Sequence, residues 1–347
     1  MQTVPVPLGD GRAYNVVVGA GARESLASVV LEVAPKAKRL AFVTQESILA
    51  ACPLVSELST PLEHRTFLVG STENEKSLST IETLCRGWAS WGMTRNDVVV
   101  AVGGGMVTDI AGFAASCYHR GITVVYVSTT LLGMIDAAVG GKTAVNIPEG
   151  KNLVGAYWQP SAVLCDLDFL ATMAPREKRS GLGEMAKYHF LDPTGGPFEG
   201  MTLEDKVARC VAIKARVVAA DEREGGVRAV LNYGHTLAHA LEIASEFSIM
   251  HGEAVAIGLL YVAEVAYRLG RISSERVQEH RAVVGGYDLE MRIPSGIAAK
   301  DDELLVLMGR DKKALNGLTF VLDGPNGVEE VTGIDPEVLR ASFASVR

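Results

Sequence analysis

The sequence has few cysteines, no long apolar run and no recognisable export signal. Its five cysteines are odd in number, scattered and without a CxxC pair, which argues against a disulfide framework and is typical of reduced thiols. No run approaches the roughly eighteen consecutive apolar residues that would cross a bilayer. The N-terminal residues also lack the basic start and apolar core of a signal peptide. These absences predict a cytoplasmic protein without a membrane partner.

An excess of basic residues is also lacking. The 347 residues carry a formal net charge of -8, which argues against nucleic acid or an anionic membrane as a partner. With 48% hydrophobic and 21% charged residues, the composition is that of an ordinary globular protein. The length favours two domains, each with a substantial core.

The N-terminal half alternates short apolar runs with helical patterns. This rhythm predicts a parallel sheet covered by helices. The runs with strand character are residues 39–44, 64–69, 97–105 and 123–129, and residues 1–20 contain a GDGR turn typical of a β-hairpin. One helix is expected to start near Ser71 or Thr72 and to end before Gly92.

From about Pro175 onward the chain changes to long helical patterns with few strand-like runs. These patterns cover residues 176–191, 203–220, 229–246, 252–269, 273–284 and 301–315. We therefore predict an α/β plus all-α architecture. A Rossmann-like parallel-sheet domain would span residues 1–172, and a helical domain residues 173–347.

Three of the seven histidines lie close together in the helical half. His235 and His239 are four residues apart in the run HTLAHALE, so both rings project from one helix face. His251 follows a predicted turn and opens the next helix. With Glu184 as a candidate third ligand, this set favours zinc, and cobalt accepts the same ligands. The same residues could instead be ordinary polar side chains on helix surfaces.

Three glycines, Gly103 to Gly105, stand between a buried strand and the following helix. Glycine lets the backbone approach a phosphate, and the helix N-terminus offers amide donors and a favourable dipole. Thr129 and Thr130 end the next strand and would add hydroxyl groups. Glu73 and Lys76 open an earlier helix, from which they could reach a ribose or adenine. A tight turn without a ligand explains the glycines equally well, because the GxGxxG fingerprint is absent.

Residues 131–158 form a glycine-rich, apolar stretch that we interpret as a loop with isolated charges. Its notable polar residues are Asp136, Lys142, Lys151 and Asn152. Lys187 lies three residues after Glu184, on the same helix face. Further polar residues complete a possible cationic pocket: Lys214, Glu224, Arg228, Lys312 and Lys313. Such a pocket around a dication suits a small substrate with two anionic groups, phosphate and carboxylate.

Several motifs together resemble the 3-dehydroquinate synthases of the sugar phosphate cyclase superfamily. The matching runs span roughly residues 70–320 and include VGGGMVTDIAGFAAS, STTLLGMIDAAVGGKTAVN, GKNLVGAYWQP, GLGEMAKY, LNYGHTLAHALE, HGEAVAIG and RDKKALNG. Each run is modest alone, and the set is specific.

The resemblance implies a multistep reaction on 3-deoxy-D-arabino-heptulosonate 7-phosphate. Bound NAD oxidises the C5 hydroxyl, which acidifies the neighbouring C6 proton, and phosphate is eliminated. The hydride then returns to C5, the ring opens, and an intramolecular aldol step closes the carbocycle of 3-dehydroquinate. NAD is regenerated in each turnover.

The resemblance also implies a role for each candidate residue. The metal ligands are Glu184, His235 and His251, which bind Zn²⁺ or Co²⁺. Asp136, Lys187 and Lys214 hold the substrate hydroxyls, Arg228 and Lys312 (or Lys313) hold the carboxylate, and Lys142, Asn152, Asn232 and His239 hold the phosphate. Glu224 orders the cations, and Arg120 reaches the phosphate bound to a neighbouring subunit, which implies a homodimer. The NAD site comprises Glu73, Lys76, Gly104, Gly105, Asp109, Thr129, Thr130, Lys151 and Thr172.

The chain departs from the family pattern in three places. The early strand ends in Thr44 and Gln45, so the resemblance leaves unassigned an adenosine contact that an acidic or amide side chain is expected to make there. In GEMAKYHF, Ala186 stands where a bulkier apolar residue is expected and His189 where a small one is expected. The segment between Lys187 and Lys214 is short and rich in glycine and proline, so that a helix usual in the family is expected to be trimmed.

Other activities remain open from the sequence alone. An aminodehydroquinate synthase, which cyclises an amino analogue in antibiotic starter-unit biosynthesis, should retain nearly the same site. Cyclases of sedoheptulose 7-phosphate fit less well, because their substrate lacks the carboxylate that Arg228 would bind. Metal-dependent alcohol or glycerol dehydrogenases share the architecture but would release NADH as a product.

Overall fold

A computed structural model of the chain describes residues 1–51, 60–192, 198–311 and 318–347. The chain forms two compact units, residues 1–173 with 201–223 and residues 174–200 with 224–347. The strands, in chain order, are β1 (Gln2–Pro7), β2 (Ala13–Gly19), β3 (Arg39–Thr44), β4 (Glu63–Leu68), β5 (Val98–Gly103), β6 (Thr123–Ser128), β7 (Lys142–Ile147), β8 (Gly150–Tyr157), β9 (Ala162–Asp166), β10 (Phe320–Leu322) and β11 (Glu329–Val331). The α-helices are α1 (Leu26–Val33), α2 (Glu46–Ala51), α3 (Leu78–Trp91), α4 (Gly105–Cys117), α5 (Pro175–Tyr188), α6 (Leu203–Ala220), α7 (His235–Ala244), α8 (His251–Arg268), α9 (Ser274–Gly286), α10 (Asp301–Asp311) and α11 (Pro336–Ser342).

The first unit is built on a sheet of order β1-β2-β9-β6-β5-β3-β4. β1 and β2 pair antiparallel, and every other neighbouring pair is parallel. The interior strand β5, VVVAVG, is buried along its whole length. Such a continuous β-branched run is typical of a strand with both faces covered. The predicted parallel sheet and N-terminal hairpin are thus confirmed.

Helix α3 begins later than the sequence suggested. The prediction of a start near Ser71 or Thr72 is wrong, because residues 73–75 form a separate 3₁₀ turn and Lys76 has non-helical torsion angles. The helix begins after Ser77, whose hydroxyl accepts a hydrogen bond from the Thr80 amide. It ends at Trp91. The next residue, Gly92, adopts a left-handed φ of 79°, which glycine tolerates without steric cost.

The interpretation of residues 131–158 as a loop is also wrong. This stretch forms a π-helical turn (Gly133–Ala137) and then the antiparallel hairpin β7–β8. A bulge between Val145 and Ile147 interrupts the strand register, and the glycines in β8 further weaken the alternation that would identify a strand. The hairpin packs against α4, where a Cβ on Gly112 would lie 2.5 Å from Thr143 Cγ2.

Helix α6 belongs to the first unit, although the predicted boundary at residue 172 would assign it to the second domain. Thr202 and Asp205 form a capping box at its start, which explains why local sequence predicts its bounds. Its apolar face packs against β1, β2 and the π-helical turn. These contacts place residues 201–223 with the sheet.

The second unit is organised around α8. Nearly every residue of α8 between Ala254 and Ala266 is buried, as expected for a helix that is apolar all round and surrounded by other elements. Helices α5, α7, α9 and α11 pack against it. The predicted turn before α8 is confirmed, with Glu246 and Phe247 both in left-handed conformation. The short antiparallel pair β10–β11 was not predicted.

No helix within the described residues combines the length and apolar composition needed to cross a membrane.

A buried polar cluster, which we call the His280 cluster, lies in the second unit. His280 has no exposed surface, and its ring stacks on Phe190 with 3.7 Å between centroids. Its Nε2 lies 2.7 Å from the Tyr233 hydroxyl and its Nδ1 lies 2.8 Å from the Arg276 carbonyl oxygen. Arg276 in turn donates from Nε to Asp323 at 2.7 Å.

The His280 cluster predicts acid sensitivity. Burial lowers the pKa of His280 to about 4, with Arg276, Asp323 and Glu279 as the neighbouring charges. Between about pH 6.5 and pH 4 the unfolded chain binds a proton that the folded chain excludes, so stability is lost as the pH falls through this window. We expect His280→Gln to reduce the pH slope of the unfolding free energy, measured by denaturant titration, by up to about 1.4 kcal/mol per pH unit. If the pH dependence of the unfolding free energy is the same in His280→Gln as in the wild type, His280 is not the source of the acid sensitivity.

Candidate active site

Close contacts at glycines bring the predicted metal ligands together. A Cβ on Gly183 of α5 would lie 1.9 Å from the carbonyl oxygen of Gly252, and one on Gly258 of α8 would lie 2.0 Å from that of Gly234. These approaches are possible only because glycine has no side chain. The glycines adjoin the ligands in sequence: Gly183 precedes Glu184, Gly234 precedes His235, and Gly252 follows His251.

Glu184, His235 and His251 form a compact cluster. Glu184 Oε1 lies 3.1 Å from Nε2 of each histidine, and the potential ligand atoms all lie within 4.8 Å of one another. Among the described residues, neither buried carboxylate oxygen of Glu184 makes a hydrogen bond of acceptable geometry. His235 Nδ1 lies 3.1 Å from the Tyr233 carbonyl oxygen, which leaves Nε2 for a cation. Two nitrogens and one carboxylate fit zinc or cobalt with an open position.

The electrostatics of this cluster also suit a cation. Burial opposes ionisation of Glu184, but Lys187 and His235 hold its pKa well below the usual range. Burial lowers the pKa of His235, which favours the neutral form of its ring that can act as a ligand. Burial acts in the same direction on His251, but Glu184 and Glu242 outweigh it and raise the pKa of His251 to about 10. The negative charges of Glu184 and Glu242, which favour a proton on His251, would also favour a divalent cation at this position.

Glu242 is a residue that the sequence analysis missed. Its Oε2 lies 3.2 Å from His251 Nδ1, an arrangement in which a carboxylate fixes the ring whose other nitrogen binds metal. His239, Glu242 and His251 also form a second overlapping group with metal-ligand geometry. The available signal was spacing, because Glu242 follows His239 by three residues and His235 by seven on the same face of α7.

The second unit also contains two buried cations of the predicted substrate site. Lys187 is 1% exposed, with its Nζ 2.6 Å from Glu184 Oε2, and it donates to the Leu231 carbonyl oxygen at 2.9 Å. Arg228 is also 1% exposed and lies in a 3₁₀ helix that ends at Asn232. The other candidates are Glu224, which is exposed, His239, which is half-buried, and Lys312 and Lys313, which lie outside the described residues.

The glycine turn after β5 has packing reasons of its own. A Cβ on Gly104 would lie 2.9 Å from Thr130 Cγ2, and one on Gly105 would lie 2.9 Å from the Ala137 Cβ. The Thr129 amide donates to the Gly103 carbonyl oxygen at 3.0 Å. A tight turn therefore accounts for the glycines. The N-terminus of α4, which no side chain caps, nevertheless lies at the strand ends where phosphates bind in such folds.

Lys76 contacts one residue predicted to bind NAD and one predicted to bind the substrate phosphate. Its Nζ lies 2.5 Å from Asp109 Oδ2, in the predicted NAD set, and 2.5 Å from Asn152 Oδ1, in the predicted phosphate set. Burial raises the pKa of Asp109 to about 6, although the Lys76 ammonium acts in the opposite direction. Asn146 also belongs to this group. Its side-chain Nδ2 donates to Glu73 Oε1, and its backbone N–H donates to the Lys76 carbonyl oxygen.

Asp136 and Lys214 form a second contact group in the first unit. Lys214 is 5% exposed, and its Nζ lies 2.5 Å from both Oδ1 and the carbonyl oxygen of Asp136. The π-helical turn presents both oxygens to α6. The remaining candidates in this unit are Arg120, Lys142 and Lys151, which are exposed, and Thr172, whose hydroxyl donates to the Phe169 carbonyl oxygen.

Comparison with known proteins decides the family. Residues 66–180 match the 3-dehydroquinate synthase N-terminal domain, and residues 181–314 match its C-terminal domain. The chain belongs to the 3-dehydroquinate synthase family. A protein from Amycolatopsis mediterranei with the provisional name aminodehydroquinate synthase is 48% identical, over 97% of this chain and 92% of its own length. A 3-dehydroquinate synthase from Rhodopseudomonas palustris is 40% identical, over 92% and 90%.

Solved structures of related synthases confirm the fold of this family member. A 2-deoxy-scyllo-inosose synthase in complex with carbaglucose-6-phosphate, NAD⁺ and Co²⁺ has a TM-score of 0.87 and is 25% identical over 99% of both chains. A 2-epi-5-epi-valiolone synthase from Streptomyces hygroscopicus, with NAD⁺ and Zn²⁺ bound, has a TM-score of 0.77 and is 24% identical over 95% and 96%. Glycerol dehydrogenase from Schizosaccharomyces pombe shares the fold at a TM-score of 0.63 and 17% identity, over 95% and 87%.

Proposed function

We propose that this protein converts 3-deoxy-D-arabino-heptulosonate 7-phosphate to 3-dehydroquinate and phosphate, as a carbon–oxygen lyase. The observation that carries the proposal is the buried Glu184–His235–His251 cluster with the Lys187 ammonium 2.6 Å from Glu184. This cluster occurs in a chain of the family named for that reaction.

NAD and a divalent cation, zinc or cobalt, would complete the site. The related synthase with a sugar-phosphate analogue, NAD⁺ and Co²⁺ supports both cofactors. When bound, NAD takes up and returns a hydride, and the cation polarises the substrate hydroxyls. The cation would be held by Glu184, His235 and His251. NAD would be held by Glu73, Lys76, Gly104, Gly105, Asp109, Thr129, Thr130, Lys151 and Thr172.

The side chains of this protein would bind and orient the substrate. Lys187 would donate to a substrate hydroxyl beside the cation. Lys214, held by both oxygens of Asp136, would donate to another from a fixed position, which is the main advantage of a preorganised donor. Arg228 would bind the carboxylate through its planar guanidinium. Glu224 would order these cations, and Lys312 or Lys313 would assist at the carboxylate.

The phosphate would be held by Lys142, Asn152, Asn232 and His239. It would itself accept the C6 proton as it leaves, so no side chain need serve as a dedicated base. Arg120 would reach the phosphate of a partner subunit, which is consistent with its exposure. This role requires a homodimer. A monomer in sedimentation measurements would contradict it.

A second candidate substrate is the amino analogue used by aminodehydroquinate synthases. The 48% identity to a relative with that provisional name favours it. The metal cluster, Lys187 and Arg228 suit either substrate, because both reactions need the same polarised hydroxyls and the same carboxylate site.

The assay should follow phosphate, carbocycle and NADH together. With catalytic NAD⁺ and Zn²⁺ or Co²⁺, we expect one phosphate released per 3-dehydroquinate formed and no net NADH. Parallel reactions with the amino analogue would rank the two substrates by kcat/KM, and Glu184→Gln would serve as the control for contaminating phosphatase. Failure to release phosphate from either substrate, or stoichiometric NADH from glycerol, would refute the proposal.

A further inference from the structure

A chain of hydrogen bonds connects the His280 cluster to a predicted metal ligand. His280 Nδ1 faces the Arg276 carbonyl oxygen at 2.8 Å, so this nitrogen must carry the proton. Nε2 is then an acceptor and receives the hydrogen bond of the Tyr233 hydroxyl at 2.7 Å. The carbonyl oxygen of the same tyrosine accepts from His235 Nδ1 at 3.1 Å. Tyr233 thus connects His280 to His235.

At the outer end of this chain, His280 and Arg276 both pack against the ring of Phe190. The His280 ring lies parallel to that of Phe190, with 3° between the planes, and the Arg276 guanidinium lies 5.1 Å from the Phe190 ring. The Phe190 amide donates to the Lys187 carbonyl oxygen at 3.0 Å. His280 therefore packs against the segment that follows α5, the helix that carries Glu184 and Lys187.

The inner end of the chain is a sharp bend in the backbone. Gly234 has a left-handed φ of 82° and lies against Gly258 of α8. On the other side of Tyr233, the Leu231 carbonyl oxygen is held by Lys187 at 2.9 Å. Between these two points lies Tyr233, whose side chain is fully buried.

We propose that His280 is a positioning residue that, through Tyr233, keeps His235 oriented for metal binding. The inference rests on the proposed metal site and goes beyond the ligands themselves. Without the His280 acceptor, the Tyr233 hydroxyl is buried without its partner, and the tyrosine must shift or admit water. A shifted carbonyl releases the Nδ1–H of His235, and Nε2 no longer faces Glu184. His251 has its own carboxylate partner, Glu242, and does not depend on this chain.

The test compares variants that remove or retain the acceptor. His280→Leu and Tyr233→Phe should each weaken Co²⁺ affinity by roughly 10- to 100-fold and change the visible absorption spectrum of bound Co²⁺. His280→Gln retains an acceptor and should restore most of the affinity. The double variant His280→Leu/Tyr233→Phe should bind Co²⁺ about as tightly as the more impaired of the two single variants, because both changes break the same chain of hydrogen bonds.

Val284→Ala is the matched control for lost packing. Val284 is buried on α9, one turn from His280, so the change should lower stability without altering Co²⁺ affinity or spectrum. The proposal is overturned if His280→Leu behaves like Val284→Ala, or if the two single effects add in the double variant. Failure of wild-type protein to bind Co²⁺ would overturn it together with the metal site. If the variants change Co²⁺ affinity as predicted but the wild type does not form 3-dehydroquinate, only the proposed function would be refuted.

Discussion

Glu184→Gln is expected to remove metal binding and turnover together. The change replaces a buried anionic ligand by a neutral amide, and the ammonium of Lys187 then lies 2.6 Å or so from a group that no longer balances its charge. Loss of a direct ligand should exceed the roughly 10- to 100-fold loss of affinity caused by outer partners. Since the cation is expected to supply several kcal/mol, kcat should fall by roughly 10³-fold or more.

The measurement is metal content after dialysis, together with kcat and NAD affinity. NAD affinity should be unchanged, because the predicted NAD residues belong to the first unit. Glu264→Gln, which removes a half-buried carboxylate of α8 that pairs with Arg268, is the matched control and should retain metal. Leaving Lys187 unpaired can destabilise the core, so His251→Ala, which preserves the Glu184–Lys187 pair, provides a second variant. Full metal content and turnover in either variant would disprove the ligand assignment.

The elements that the sequence predicted well are those whose signals are local. Helix α6 has the predicted bounds, residues 203–220, because its capping box and its amphipathic face both lie within the segment. Strand β3 was found at the predicted residues 39–44 because it is a short, buried, apolar run between turn signals. The start of α3 was misplaced because three cap-forming residues, Ser71, Thr72 and Ser77, compete over one short stretch.

The β7–β8 hairpin could not be recognised from its own residues. Its alternation is interrupted by a bulge, and its position is fixed by packing on α4 at Gly112 and Thr143. Such a contact joins residues about thirty positions apart and leaves no periodic pattern in either segment. Tertiary packing therefore decides a structure that local preference leaves open.

In the candidate site, too, the sequence predicted what depends on local spacing and missed what depends on tertiary packing. Helical spacing placed His235 and His239 on one face of α7, but the approach of Glu184 depends on the glycine contacts of α5 with α8. Glu242 was missed because a glutamate three residues after a histidine is indistinguishable from a surface residue. Its contact with His251 Nδ1 arises only from the way α7 packs on α8 through Gly234 and Gly258. The roles of these residues in metal binding stay predictions.

Arg228→Met is expected to impair the substrate far more than either cofactor. Arg228 is 1% exposed, so its guanidinium would meet a substrate carboxylate in a largely water-free setting. Truncating one partner of a buried charge pair typically costs about 2–5 kcal/mol, and kcat/KM should therefore fall by roughly 30- to 5,000-fold. Arg228→Lys should recover only part of this loss, because an ammonium cannot form the planar two-point contact.

The measurement is the affinity for substrate, NAD and Co²⁺ in each variant. NAD and Co²⁺ affinities should stay close to those of the wild type. Sedoheptulose 7-phosphate, which lacks the carboxylate, should bind the wild type and Arg228→Met with similar affinity. Arg268→Met, on the more exposed end of α8, controls for the loss of an arginine elsewhere in the unit. Equal losses for substrate and NAD would mean that Arg228 supports the fold and that the carboxylate is bound by other residues.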